Sequence, residues 1–379
     1  MIPFNIPYYS GAEKKLIGKV MLTKTLTGDL EVMRACEQYL EQTYGFKKAF
    51  LTNSCTQALE MAAVLIGVEP GDEVILPSFT YVSTANAFAL RGAKLIFADS
   101  KKEHPNMDES LIEELITPKT KAIVVMHYAG VACDMKPIQA LAKKNKLFII
   151  EDAAQCIDSY HENKALGTIG DIGCFSFHET KNIHCGEGGF IAINNPDLIK
   201  RAEIVRNKGT NRSAFERGEV NKYEWIDLGF SSIPSAITVA FLTAQLQDIA
   251  KIQKKRIRLW KTYYRKLKGL KRSNGVQLPA IPKYASNNAH IFYLVCNSEE
   301  ERNKLIAFLK KNEIQAVFHY QSLYSSPYYK SQYISATLPN SDRYSSCLVR
   351  LPMYFSLSTA DVDLICSKVL EFYSSSHSD

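Results

Sequence analysis

Between residues 49 and 150 the chain repeats one pattern: a short apolar run, a turn, an amphipathic stretch, then another apolar run. The runs Ala49–Leu51, Glu73–Leu76, Lys94–Ala98, Lys121–Met126 and Leu147–Ile150 are rich in Val, Ile, Leu and Phe, and each has the length of a strand. Continuous apolar runs of this kind suit strands covered on both faces, so the pattern predicts a mostly parallel sheet with helices between the strands. A sixth strand is predicted from Ile172, Cys174, Phe175 and Phe177. Before the sheet, Glu31 to Tyr44 reads as a helix closed by Gly45, with Val32, Cys36, Tyr39 and Leu40 on one side. Pro70-Gly71-Asp72 marks a turn, and Asp108 is placed to cap the helix of Leu111, Ile112 and Leu115.

The alternation weakens after residue 189. Helices are expected near Asp197 to Arg206 and, as one long element, from Ala236 to Leu267. Beyond Pro279 and Pro282 a smaller α+β region follows, with strands near His290–Val295 and Ala316–His319 and helices near Glu299–Lys310 and Asp361–Tyr373. The expected division is a large α/β domain over 1–250 and a small C-terminal domain over 251–379, ending in a frayed tail, Ser374 to Ser376. No internal repeat is visible.

At 379 residues, 46% hydrophobic and 22% charged, the chain can bury a core of enzyme size. Met1 to Pro7 has neither a basic start nor a sustained apolar run, and no run approaches bilayer length, so no membrane association and a cytoplasmic location are expected. Nine cysteines without a Cys-x-x-Cys pair predict reduced, packed thiols and no metal site, with Cys185, near Lys181 in sequence, the one thiol to watch. A net charge of +7 is mild and suits an anionic small molecule. The most basic run, Lys251 to Lys268, carries Ile249, Ile252, Trp260, Tyr263 and Leu267 at helical spacing. Its charges are therefore expected on a solvated helix face, and no nucleic-acid partner is predicted.

The chemistry centres on Lys181, just beyond the carboxyl end of the sixth strand, the edge where open α/β sheets bind ligands. A lysine shielded there can lose its proton and attack a carbonyl, forming a Schiff base. Four stretches fall on the same edge. Ser54, Cys55 and Thr56 join a strand to a helix and can hold a phosphate at its N-terminus, although Ser54 equally suits a simple helix cap. Tyr81 offers an aromatic face to a planar ring, or is packing. Asp152 places a carboxylate where burial demands a positive partner, such as a protonated pyridine nitrogen, or else caps a helix. Ser176 adds a hydroxyl for the phosphate. Lysine, carboxylate, ring stack and phosphate cradle are the parts pyridoxal 5′-phosphate requires of a protein.

On Glu151-Asp152-Ala153-Ala154-Gln155, Ser176-Phe177-His178-x-x-Lys181 and Gly186-Glu187-Gly188-Gly189, the chain resembles the DegT/DnrJ/EryC1/StrS sugar aminotransferases over nearly its whole length. The resemblance implies a fold-type I, pyridoxal-phosphate-dependent α/β enzyme, assembled as a homodimer or higher homo-oligomer, that aminates a nucleotide-linked keto sugar. Lys181 would carry the cofactor, Asp152 pair with its pyridinium, Tyr81 stack on it and Gln155 approach its hydroxyl. Ser54, Cys55, Thr56 and Ser176 would hold the phosphate. Further stretches, Met1 to Asn5, His127 to Cys133, Lys208 to Arg212 and His319-Tyr320, resemble the branch that acts on dTDP-linked 4-keto sugars with L-glutamate as donor, making His319 and Tyr320 substrate-binding residues. Many members carry an Asn-aromatic-Arg stretch reaching the neighbouring subunit's phosphate, and here the chain reads Gly229-Phe230-Ser231-Ser232. Related dehydratases replace the lysine by histidine, and a cofactor-binding regulator would need an added helix-turn-helix module, for which no segment is spare. Gly167-x-x-Gly170-x-x-Gly173 lacks the nicotinamide fingerprint's spacing and precedes a strand.

Overall fold

The computed structural model describes residues 1–27, 31–331 and 337–375. Five of the expected strands appear as β1 (Lys48–Thr52), β2 (Glu73–Pro77), β3 (Lys94–Ala98), β4 (Thr120–Met126) and β5 (Phe148–Asp152). A small hairpin, β6 (Tyr160–His161) with β7 (Lys164–Ala165), precedes β8 (Ile172–Ser176), the strand that leads to Lys181. Next comes a strand the sequence reading lacks, β9 (Gly189–Ile193). The seven strands are ordered β1-β9-β8-β5-β4-β2-β3, and β9 runs antiparallel to both neighbours while the other six share one direction. The sheet is therefore mixed and mostly parallel.

Alternate residues of the central strands feed two separate cores, which is why these strands read as unbroken apolar runs. Val74, Leu76, Ala122 and Val124 pack on one face with the helices Cys55–Leu65 and Val82–Ala89. Ile75, Ile123 and Val125 pack on the other face with the helix Met135–Asn145. The turn at Gly71 has φ +100°, which favours glycine, and Asp108 caps its helical turn by accepting from the Ser110 N–H.

Three further strands, β10 (Phe292–Val295), β11 (Val317–Phe318) and β12 (Leu348–Leu351), form an antiparallel sheet ordered β10-β12-β11. The third of these was not expected from the sequence. The sheet packs on the helices Ile249–Leu267, Glu299–Lys311 and Thr359–Ser375 around a core of its own. The N-terminal arm reaches across to this part of the chain: the Ile2 N–H donates to the Glu313 carbonyl at 2.7 Å, and the Phe4 N–H to Gln315 Oε1 at 3.0 Å. A cluster of Phe79, Met126, Tyr128, Tyr293, Tyr344 and Leu348 fills the space between the two sheets.

Four local expectations are corrected. Ala236 to Leu267 is two helices, Ala236–Gln247 and Ile249–Leu267, broken at Asp248, whose carboxylate is held by the Tyr8 hydroxyl at 2.6 Å. Tyr39 faces outward, and Glu37 takes its place inside, paired with buried Arg206 at 2.6 Å and accepting the Leu51 N–H. Arg256 leaves the solvated face of its helix to donate to the carbonyls of Ala289 and Met353. Ser374 and Ser375 belong to the last helix, whereas Ser376 lies outside the described residues. Among the described residues, no helix is long and apolar enough to cross a membrane.

Candidate active site

The carboxyl ends of β1, β2, β5 and β8 open into a cavity of about 760 Å³, closed on its other side by β11, β12 and the N-terminal arm. All ten residues expected at the site line it: Lys181, Asp152, Gln155, Tyr81, Ser54, Cys55, Thr56, Ser176, His319 and Tyr320. Its size is that of a pocket for a small organic ligand.

Asp152 ends β5 and is only 4% exposed. Its Oδ2 accepts from the Thr84 hydroxyl at 2.6 Å and its Oδ1 from the Ala154 N–H at 3.1 Å. A turn, not a helix, follows, so the alternative of a helix cap does not apply. Burial is the largest influence on this carboxyl and raises its pKa above the ordinary range; the Thr84 and Ala154 hydrogen bonds and the Lys181 charge act the other way. Such a carboxylate gains most from a cation brought into contact with it. Lys181 has the complementary shift, its pKa lowered chiefly by burial. Its amine is therefore neutral at a lower pH than that of a solvated lysine.

Ser54 serves as the cap of the helix Cys55–Leu65, its Oγ accepting from the Gln57 N–H at 3.2 Å, and it also faces the cavity. Thr56 shares a 2.8 Å hydrogen bond with Ser83. Gly189 lies against this turn: a Cβ there would stand 2.6 Å from the Cys55 nitrogen and 2.5 Å from the Phe175 carbonyl oxygen. The second half of the Gly-Glu-Gly-Gly turn thus lets β9 approach the helix N-terminus closely. Ser176 Oγ accepts from the His178 N–H at 3.2 Å. Tyr81 begins the helix Val82–Ala89 and is 57% exposed, so its ring is free to cover a planar group.

Gln155 joins the two sides of the cavity. Its Oε1 accepts from the Ala129 N–H at 2.6 Å, and its Nε2 donates to the Tyr320 hydroxyl at 3.0 Å. Tyr320 stacks on His319 at 3.6 Å between ring centroids, and His319 Nδ1 meets the Tyr128 hydroxyl at 2.7 Å. Burial lowers the pKa of His319, leaving a neutral ring.

Several groups here were not anticipated. Thr84 orients Asp152. Glu151, beside it in sequence but on the other face of β5, accepts from the N–H groups of Gly167, Ile169 and Gly170 and faces His127 at 3.0 Å. The glycine run at 167–173 therefore serves this carboxylate. A Cβ on Gly173 would meet the Gly167 carbonyl oxygen at 2.4 Å. Arg350 of β12 also lines the cavity. Cys185 does not line the cavity, and burial pushes its thiol up to about 12, so it is no ready nucleophile. Lys208 to Arg212 and Ser231 do not line the cavity, and the Ser231 carbonyl instead accepts from Asn53 Nδ2 at 3.1 Å.

The residues present fit pyridoxal phosphate: a lysine of lowered pKa, a buried carboxylate lacking a full counter-charge, an exposed aromatic face and hydroxyls beside a helix N-terminus share one cavity. An α/β sheet bearing such a site defines an enzyme built for that cofactor. The chain belongs to the DegT/DnrJ/EryC1/StrS aminotransferase family, whose model matches residues 9–370. It is 32% identical over 334 residues to the uncharacterized protein MJ1066 of Methanocaldococcus jannaschii, covering 86% of each chain. Among solved structures it is similar to the aminotransferase TlmJ from Streptoalloteichus hindustanus, at 26% identity and a TM-score of 0.91 over 99% of both chains. It is equally similar to Helicobacter pylori PseC, an aminotransferase involved in pseudoaminic acid biosynthesis, at 26% identity and a TM-score of 0.90 over 99% of both.

Proposed function

We propose that this enzyme transfers the amino group of L-glutamate to C4 of dTDP-4-keto-6-deoxyglucose, giving dTDP-4-amino-4,6-dideoxygalactose. The observation that carries the reaction type is the placing of Lys181 and Asp152 in one cavity with opposite pKa displacements. The substrate assignment rests on the stretches Lys208 to Arg212 and His319-Tyr320, which resemble the galactose-forming branch that supplies a bacterial surface polysaccharide, the enterobacterial common antigen.

Pyridoxal 5′-phosphate, when bound, supplies an electron sink and a carrier for the amino group. Lys181 would hold the cofactor through Nζ, and that amine, once displaced by the donor, is the group placed to take the proton from the donor's α-carbon and hand it on. Asp152 would keep the ring nitrogen protonated. Gln155, fixed by Ala129 and Tyr320, would meet the ring hydroxyl, and Tyr81 would cover the ring and exclude water from one face. Ser54, Cys55, Thr56 and Ser176, which line the cavity, would bind the phosphate. His319 and Tyr320 form the wall met by the sugar. In the second half-reaction Nζ delivers a proton to C4, and the face it meets sets the configuration there.

Incubation with glutamate and dTDP-4-keto-6-deoxyglucose, followed by proton NMR, tests the assignment. Small couplings from H4 to both H3 and H5 are expected for the axial amine. Large couplings would identify the gluco epimer, and amination at C3 or no reaction would assign a different sugar.

We further propose a homodimer or larger assembly. Tyr223, Trp225, Ile226 and Leu228 are exposed together on one segment, with Trp225 78% exposed, and grouped apolar exposure of this kind suits a contact between subunits. Sedimentation is expected to give at least a dimer, and Ser231→Ala is expected to change cofactor retention little. A fully active monomer would contradict this.

A further inference from the structure

Arg350 sits at the middle of β12, between Tyr293 of β10 and Val317 of β11. Alternation sends Val349 and Leu351 into the C-terminal core, while Leu348 joins the cluster between the two sheets; Arg350, on the same side as Leu348, reaches the cavity of Lys181. Its hydrogen bonding is sparse. Nη2 donates to the Phe318 carbonyl at 3.3 Å, and the guanidinium lies 4.7 Å from the Phe4 ring. Nε is shut off from water and has no partner. Among the described residues, no carboxylate forms an ion pair with it. Arginine stays charged in a protein, so a guanidinium with unused donors and no counter-charge is costly unless an anionic ligand completes it.

We propose that Arg350 binds the α-carboxylate of the amino-acid donor, and of the keto acid the donor becomes, in a two-point contact. The proposal rests on the aminotransferase reading above. One cavity must serve two substrates in turn, and their anionic groups lie at different distances from the reacting carbon. The donor's carboxylate is bonded directly to that carbon, so its receptor must stand near Lys181. The pyrophosphate of a sugar nucleotide is separated from C4 by the width of the hexose ring, so its receptor belongs nearer the mouth. Arg350 matches the first position: its Nε is dry, and it lines the same cavity as Lys181, whose pKa its charge helps to lower. The planar fork of the guanidinium also fits a carboxylate better than a lysine would. Neutralising Arg350 by the incoming carboxylate would relieve its repulsion of Lys181, tying the base strength of the amine to the presence of the donor.

The test uses the holoenzyme in its pyridoxal form, titrated calorimetrically with 2-oxoglutarate and separately with dTDP. Arg350→Gln is expected to weaken 2-oxoglutarate about 100-fold, as loss of a charge-assisted pair implies, and to leave dTDP affinity within about threefold. The single-turnover reaction with glutamate should slow by a similar factor, while the reaction of the pyridoxamine form with the keto sugar should slow far less, since there Arg350 acts only through its charge on Lys181. Arg350→Lys, which keeps the charge and loses the fork, should recover part of the 2-oxoglutarate affinity and guards against misfolding of the glutamine variant. Unchanged 2-oxoglutarate affinity in Arg350→Gln overturns the proposal, as does a loss confined to dTDP, which would assign the guanidinium to the pyrophosphate. An unmutated enzyme inert toward every amino acid would overturn both this proposal and the function reading, a result distinct from any effect of the variants.

Discussion

Lys181→Ala is expected to abolish turnover while leaving a folded protein that still takes up pyridoxal phosphate. The cavity keeps Asp152, Gln155, Tyr81 and the hydroxyls around Ser54, none of which depends on the lysine for a hydrogen bond. Cofactor should therefore co-elute with the variant but wash out on dialysis, and borohydride should no longer fix it to the chain. The rate should fall by about 10⁴-fold or more, because a positioned proton-transfer group at the upper end of its usual contribution is lost together with the covalent attachment. Lys181→Arg separates charge from proton transfer, since a guanidinium cannot act as a base at working pH. It should be as inactive as the alanine variant. The lowered pKa of Lys181 also sets the pH profile: below that pKa the amine is protonated and cannot take the donor's proton, so the rate falls toward acid. That limb should lie at lower pH than a solvated lysine would give. Normal turnover in Lys181→Ala would remove the central role assigned to this residue.

Much of the site was legible because parallel strands buried on both faces advertise themselves as apolar runs, and their carboxyl ends then mark a common edge. β1, β2, β5 and β8 were each visible in this way, and Ser54, Tyr81, Asp152 and Lys181 followed from their ends. The residues that escaped depend on distant parts of the chain. Arg350 enters the cavity only because β12 is the middle strand of a second sheet facing the first. The local signal was an arginine inside the apolar stretch Cys347-Leu348-Val349-Arg350-Leu351, too short to be distinguished from a loop beside Pro352. No local pattern marks Thr84, whose hydrogen bond to Asp152 exists only because the helix after β2 packs beside the end of β5. At the break Asp248 is held by Tyr8, far away in sequence, while the apolar periodicity runs through it without interruption. β9 is the exception: Gly189-Phe190-Ile191-Ala192-Ile193 has a strand's composition, but its glycine entry reads as the continuation of a turn.

Asp152→Asn is expected to lower turnover by about 100-fold or more, the usual scale for removing one preorganised charge from an active site. The substitution nearly preserves shape. An asparagine can still accept from the Ala154 N–H, and the Thr84 hydroxyl, which already shares a 2.8 Å hydrogen bond with Thr80, can turn to accept from the new amide. What disappears is the negative charge. In the native site, burial opposes that charge, and a protonated ring nitrogen restores it; the two ionisations support each other. Without the carboxylate, the ring nitrogen loses its proton at lower pH, and the ring becomes a weaker electron sink in both half-reactions. The slowing should accordingly appear with glutamate and with the keto sugar alike, unlike the mostly one-sided loss expected for Arg350. Folding should be little affected, or even slightly improved, because the variant no longer buries an under-compensated carboxylate. Single-turnover rates for the two half-reactions, measured beside a denaturation curve, check this. Near-native rates in both would mean that Asp152 only shapes the turn to Ala154, and that the ring nitrogen is held by some other group.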